Sequence, residues 1–159
     1  MNYILDLLNN HVFITAASAW AIAQVIKTII DFSLSGSFKP ERLVGSGGMP
    51  SCHSATVCAL ATICLLEYGA DSPFFAISAM LAIIVMYDAR GVRRETGTQA
   101  VVINEIIAYL SNPADPRYKD PKFSEEKLKE LIGHTPLQVV FGAILGVIVA
   151  IVAYNVIWN

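Results

Sequence analysis

PLQVVFGAILGVIVAIVAYNVIW, residues 136–158, contains no charged side chain. A helix of that length, rising about 1.5 Å per residue, crosses the roughly 30 Å hydrocarbon core of a bilayer. The segment therefore reads as a membrane span. Val12 to Ile30 is a comparable run, rich in Ala, Ile and Val, with Trp20, Gln24 and Lys27 inside it or near its end. Two shorter runs, His53 to Glu67 and Phe74 to Tyr87, are joined by a tight turn containing Gly69, Asp71 and Pro73. With only about 13 to 15 strictly apolar residues each, they need flanking polar turns to lengthen them, a thinner bilayer, or a re-entrant path for one of them.

Composition agrees with these runs. The chain has 159 residues, 55% of them hydrophobic and 15% charged, whereas a soluble domain is about a quarter charged. An ordinary soluble domain and a disordered chain are both excluded. The expected fold is all-α: one integral membrane domain over residues 1–159, a helical bundle of about four spans plus an amphipathic interfacial helix. A net charge of -2 offers no basic field for nucleic acid, so lipids are the expected partners. Cys52, Cys58 and Cys64 are odd in number and lack zinc spacing, so they read as small buried apolar residues. MNYILDLLNN has no basic residue and no small-residue cleavage site, so the first span is expected to stay in the mature protein.

The polar connections carry the remaining structure. Ser33 to Ser51 is a loop rich in Gly and Pro. A basic stretch, Arg90 to Arg94, precedes Thr98 to Leu110, where Val101, Val102, Ile106, Tyr109 and Leu110 oppose Asn104 and Glu105 as in an interfacial amphipathic helix. Asn112 to Pro121 reads as a loop, and Ser124 to Ile132 as a short helix capped by Ser124. Of the eleven Lys and Arg, Lys27, Lys39 and Arg42 lie near the first loop and the other eight between Arg90 and Lys129. The N-terminal tail, the Glu67 to Pro73 turn and the C-terminus carry none. By the positive-inside rule the basic side is cytoplasmic and both termini are extracytoplasmic, in a cell or plastid-type inner membrane.

On that basic side, His53 opens the second span and His134 the fourth, while His11 lies opposite. Helix N-termini present unsatisfied N–H groups and the positive end of the helix dipole, which suits a phosphate. Ser51 is either an N-cap or a phosphate ligand, and each histidine is alternatively an interfacial anchor. Arg90, Arg93 and Arg94 share i, i+3, i+4 spacing, which fits an anion clamp or a patch against anionic lipid heads, with Asp88 as a salt-bridge partner. Gln138 stands at i+4 from His134, where its amide can fix the imidazole tautomer. Gly142 and Gly146 form a G-x-x-x-G pair that packs helices closely, either within the chain or between copies in a homo-oligomer.

GGMPSCHSA at 47–55, YDARGVRRETGTQAVVINE at 87–105 and GHTPLQVVFGAILG at 133–146 resemble the divergent branch of the type-2 phosphatidic acid phosphatase family. The resemblance covers nearly the whole chain. It implies a helical core and hydrolysis of a lipid phosphate or diphosphate through a phosphohistidine, with no metal and no cofactor. Pro50, Ser51 and His53 match P-S-x-H, with Cys52 where glycine is usual. His134 matches the nucleophile, and His53 the general acid and base. Gln138 stands where the family has an acid. Lys27, Arg42, Gly48, Ser51, Arg90, Arg93 and Arg94 would hold phosphate, and Asp88 is a candidate orienting acid. A phosphorylated membrane lipid is the implied partner; the alternative is a binder or transporter of phosphorylated lipid that keeps the anion pocket without the chemistry.

Overall fold

The computed structural model describes residues 2–37, 48–110 and 135–158, and among these every regular element is helical. The helices are α1 (Tyr3–Leu8), α2 (His11–Ser35), α3 (Cys52–Tyr68), α4 (Pro73–Arg90), α5 (Val92–Leu110) and α6 (Pro136–Val152), the last running into a π-helical turn at Ala153–Trp158. Local chemistry sets their ends. Asn10, Ser51, Ser72 and Thr135 each accept a hydrogen bond from a first-turn amide, and Pro73 and Pro136 occupy first-turn positions where no N–H is missed.

The first span extends past the expected Ile30 to Ser35. Thr28 and Ser33 donate their hydroxyls to the carbonyls of Gln24 and Ile29 at 2.8 Å, so these polar residues stay inside the helix. The helix stops at Gly36, whose φ of 66° is left-handed. The loop expected from Ser33 thus begins later. Likewise the basic stretch and the amphipathic helix merge into α5, separated from α4 only by Gly91. Val102, Ile103 and Ile106 are exposed on it, as an interfacial helix requires. The expected loop at 112–121 and the helix at 124–132 lie outside the described residues.

Among the described residues, three stretches are long and apolar enough to cross a membrane: His11–Ser35, Pro73–Ala108 and Pro136–Trp158. Cys52–Tyr68 is apolar but shorter, at 17 residues. About four spans were expected, so the match is approximate. The shortfall falls on α3, about 26 Å long at the standard rise.

Packing explains how α3 tolerates that length. It lies at the centre of the bundle, against α6, α2 and α4. The core is built of small residues: Ala19, Ala59 and Ala150 with Ile63 in one cluster, and Ala23, Cys52 and Ala55 in another. Large side chains such as Ile77, Ile84, Val140 and Ile148 are exposed. That inversion suits a bundle in lipid, where association depends on close van der Waals contact rather than on escape from water. Cys52, Cys58 and Cys64 are all free and buried, as expected.

Gly142 and Gly146 form the closest crossing. A β-carbon on Gly142 would collide with the Ser51 carbonyl oxygen and lie 3.0 Å from Ser54 Cβ. One on Gly146 would collide with the Ala55 carbonyl oxygen and sit 2.9 Å from the Ala59 amide nitrogen. The G-x-x-x-G pair therefore serves a contact within the chain, between α6 and α3.

Chain direction sorts the chemistry. α2 and α4 run one way, α3 and α6 the other. At one end His11 stacks on Trp158 with ring centroids 4.1 Å apart, its Nδ1 is 3.4 Å from Glu67 Oε1, and Trp158 Nε1 donates to Thr15 Oγ1. The opposite end gathers Lys27, Gly48, Ser51, His53, Arg90 and Gln138.

Candidate functional site

The loop that leads into α3 fixes this end. Gly48 has φ +84°, a conformation that a side chain resists, and a β-carbon there would lie 3.0 Å from Lys27 Cδ and 3.1 Å from Cγ. Glycine therefore lets the loop cover the Lys27 stem, which is only 3% exposed. A cis peptide joins Met49 to Pro50. Ser51 N then donates to Gln138 O at 3.0 Å, tying the loop to the first turn of α6.

Ser51 is fully buried and caps α3: its Oγ accepts from Ser54 N at 3.3 Å and from Ser54 Oγ at 3.1 Å. Cap and phosphate ligand are compatible roles, because an oxygen that accepts twice still carries its own proton to donate. His53 follows in the first turn of α3, half-buried, with its Nδ1 3.8 Å from Cys52 Sγ. Arg90 ends α4 and is exposed, and Asp88, two residues earlier, is half-buried. Cys58 Sγ meets Met86 Sδ at 3.7 Å, so in an antiparallel pair Arg90 lies about level with Ser54.

Gln138 occupies a position the sequence did not disclose. It is the third residue of a capping box: Thr135 Oγ1 accepts from Gln138 N at 3.3 Å, and Gln138 Oε1 accepts from Thr135 N at 3.0 Å. One atom of the amide expected to orient an imidazole, its oxygen, thus takes part in starting α6. His134, one residue before this cap, lies outside the described residues, as does Arg42. The side chains of Arg93 and Arg94 are likewise not described, although both residues belong to α5.

Sequence reasoning missed Gln24, Ser54 and Thr135. The only signal for Gln24 was a polar residue three positions before Lys27 in an apolar run. Beside the site, an apolar cavity of about 310 Å³ opens between α2 and α6, lined by Ile26, Ile30, Met49, Pro50, Phe141 and Leu145 among others.

The fold defines an α-helical integral membrane protein in which Lys27, Gly48, Ser51 and His53 lie toward one end of the bundle. Residues 8–149 match the model of the divergent PAP2 family, and the chain belongs to that family. It is also 42% identical over 152 residues to the uncharacterized membrane protein YuiD of Bacillus subtilis (strain 168), covering 93% of this chain and 96% of that protein. No solved structure matches the chain.

Proposed function

We propose that the protein hydrolyses a lipid phosphate or diphosphate at the membrane surface through a phosphohistidine. The observation that carries this reading is the enclosure of the Lys27 stem beneath Gly48, three residues before the Ser51 cap of the helix that bears His53. A buried ammonium within a span is expensive and marks function more often than architecture. The adjoining apolar cavity is the right size and polarity for a lipid chain, which would leave the phosphate at the loop.

In the first step a His134 ring nitrogen bonds to phosphorus, the bond from phosphorus to the leaving oxygen breaks, and His53 in its acid form protonates that oxygen. Neutral His53 then takes a proton from water, the water oxygen attacks phosphorus, and the P–N bond breaks to release phosphate and restore His134. Lys27, Arg42, Ser51, Arg90, Arg93, Arg94 and the helix N-termini stabilise charge on the other phosphate oxygens. Phosphate release by the detergent-purified chain in EDTA, from phosphatidic acid, phosphatidylglycerophosphate and polyprenyl diphosphate, tests the reading. Release from at least one supports it; binding of all three without release favours the second reading.

That second reading, a binder or transporter of phosphorylated lipid, is favoured by the capping role of Gln138. Gln138→Glu separates the two, because a glutamate at this position retains the capping box and adds the charge that stabilises imidazolium. A rise in turnover of about tenfold or more, with unfolding temperature unchanged, is expected of a hydrolase limited by its amide. No turnover in either form assigns the protein to binding.

The site is proposed to face the cytoplasm, because all eleven Lys and Arg fall on its side of the four-span map. Asn2→Cys and Asn159→Cys are then both expected to react with an impermeant thiol reagent in intact cells. Protection of both inverts the map.

A further inference from the structure

Gln24 is a polar group that neither the packing nor the proposed chemistry has used. It is 5% exposed, and its Oε1 is buried with no hydrogen-bond donor among the described residues. An amide oxygen sealed in this way has lost its hydration without replacement, and such groups call for an explanation. Its place in the fold supplies one. Ala23, the preceding residue, packs on Cys52 and Ala55, which sets this turn of α2 level with the first turn of α3. Lys27 follows at i+3 on the same buried side, its stem against Gly48.

At the same level Ser51 and Ser54, at the start of α3, are completely buried and hold two hydroxyl protons between them. One spans the pair, from Ser54 Oγ to Ser51 Oγ, and the other, on Ser51, is the one a ligand acceptor could take. One level of the bundle therefore holds a cation, a hydroxyl pair and an unmatched acceptor. A fully ionised oxyanion satisfies the first two and repels the third, since all its outer atoms are acceptors. A phosphate that carries a proton satisfies all three.

We propose that Gln24 Oε1 accepts the proton of a hydrogen-phosphate group, so that the pocket selects P–OH over a fully ionised anion of the same shape. The inference rests on the anion-site reading above. The titratable groups around it are Lys27 and Asp31 on α2 and Cys52 and His53 at the start of α3; the described part of α6 has none. The test compares two anions at one pH rather than one anion across pH, so that the charge state of these groups is common to both arms.

Calorimetric binding of inorganic phosphate and of sulfate to the full detergent-purified chain, at one mildly acidic pH, reads the selection directly. Beside Lys27, charge alone favours sulfate, the doubly charged ion. The wild type is nevertheless expected to prefer phosphate by about tenfold, the scale of one hydrogen bond denied to a buried acceptor. Gln24→Met, nearly isosteric, is expected to erase that preference while the ligand-free protein unfolds at no lower temperature, because the unmatched acceptor is gone. A group with a purely structural role would show the reverse: lower stability and an unchanged ratio. Gln24→Asn, which withdraws the oxygen by one methylene, is expected to lose the preference too and serves if the methionine variant does not fold. Hexyl phosphate and hexyl sulfate repeat the comparison for a headgroup; preference within either pair supports the proposal, and the pair that shows it identifies the source. The same ratio in wild type and both variants overturns the proposal and leaves the anion site standing. Binding of none of the four anions by the wild type overturns the anion site itself.

Discussion

His53→Ala is expected to reduce phosphate release by about 10²- to 10⁴-fold, the usual contribution of a positioned acid and base. His53 lies in the first turn of α3, half-buried and two residues beyond the Ser51 cap. The α3 cap is made by Ser51 and Ser54 and the α3–α6 crossing by Gly142 and Gly146, so the variant is expected to keep the fold, which its unfolding temperature checks. The defect should be in kcat rather than KM, because a group that moves a proton in the transition state adds little to ground-state binding. A substrate whose leaving oxygen needs no proton, such as a nitrophenyl phosphate, should recover part of the loss in the first step. Equal losses for poor and good leaving groups would indicate that His53 acts on binding or on water alone.

The second large effect concerns stability. Gly146→Ala is expected to destabilise the bundle by at least about 2 kcal/mol, although the same change at an open helical position stabilises by roughly 1 kcal/mol. The sign reverses because the added carbon meets the Ala55 carbonyl oxygen and the Ala59 amide nitrogen, both backbone atoms of α3 that cannot rotate away. The helices must part, and the close contacts that hold them are lost along the crossing. Since Gly142 rests on Ser51 in the same manner, separation here also disturbs the loop beside Lys27. Thermal unfolding in detergent at two protein concentrations checks both points. A lower transition that does not depend on concentration is the expected result; a gain in stability would mean that α6 and α3 do not meet at this glycine.

These contrasts show what the sequence made legible. The apolar runs announced α2, α3, α4 and α6, because a bilayer demands length and hydrophobicity that any reader of residues can count. Their ends were harder to read. Serine and threonine can leave a helix or bond back into it, and Thr28 and Ser33 do the latter, carrying α2 to Gly36. Gly91 reads as a break, yet the chain resumes at once as α5, because one non-helical residue redirects a helix without ending the helical stretch.

The site divides in the same way. Residue type and spacing singled out Lys27, Gly48, Ser51 and His53, and chain direction carries all four to one end of the bundle. Spacing also put Gln138 a turn from His134, but i+4 fixes a face of a helix and not a partner; Thr135 is the nearer claimant. Gln24 was the hardest to see. A polar residue in a span is ordinary by composition, and only its burial without a donor sets it apart.

The most direct test of the account is rapid acid-free quenching of the purified protein during turnover of a ³²P-labelled lipid phosphate, followed by mapping of the labelled residue. The account predicts a protein-bound phosphoryl group that survives alkali, is lost in acid, maps to His134 and is absent in His134→Ala, and that persists longer in His53→Ala because the second step lacks its base. Turnover of the lipid with no phosphoryl label on His134 at any time point would contradict it.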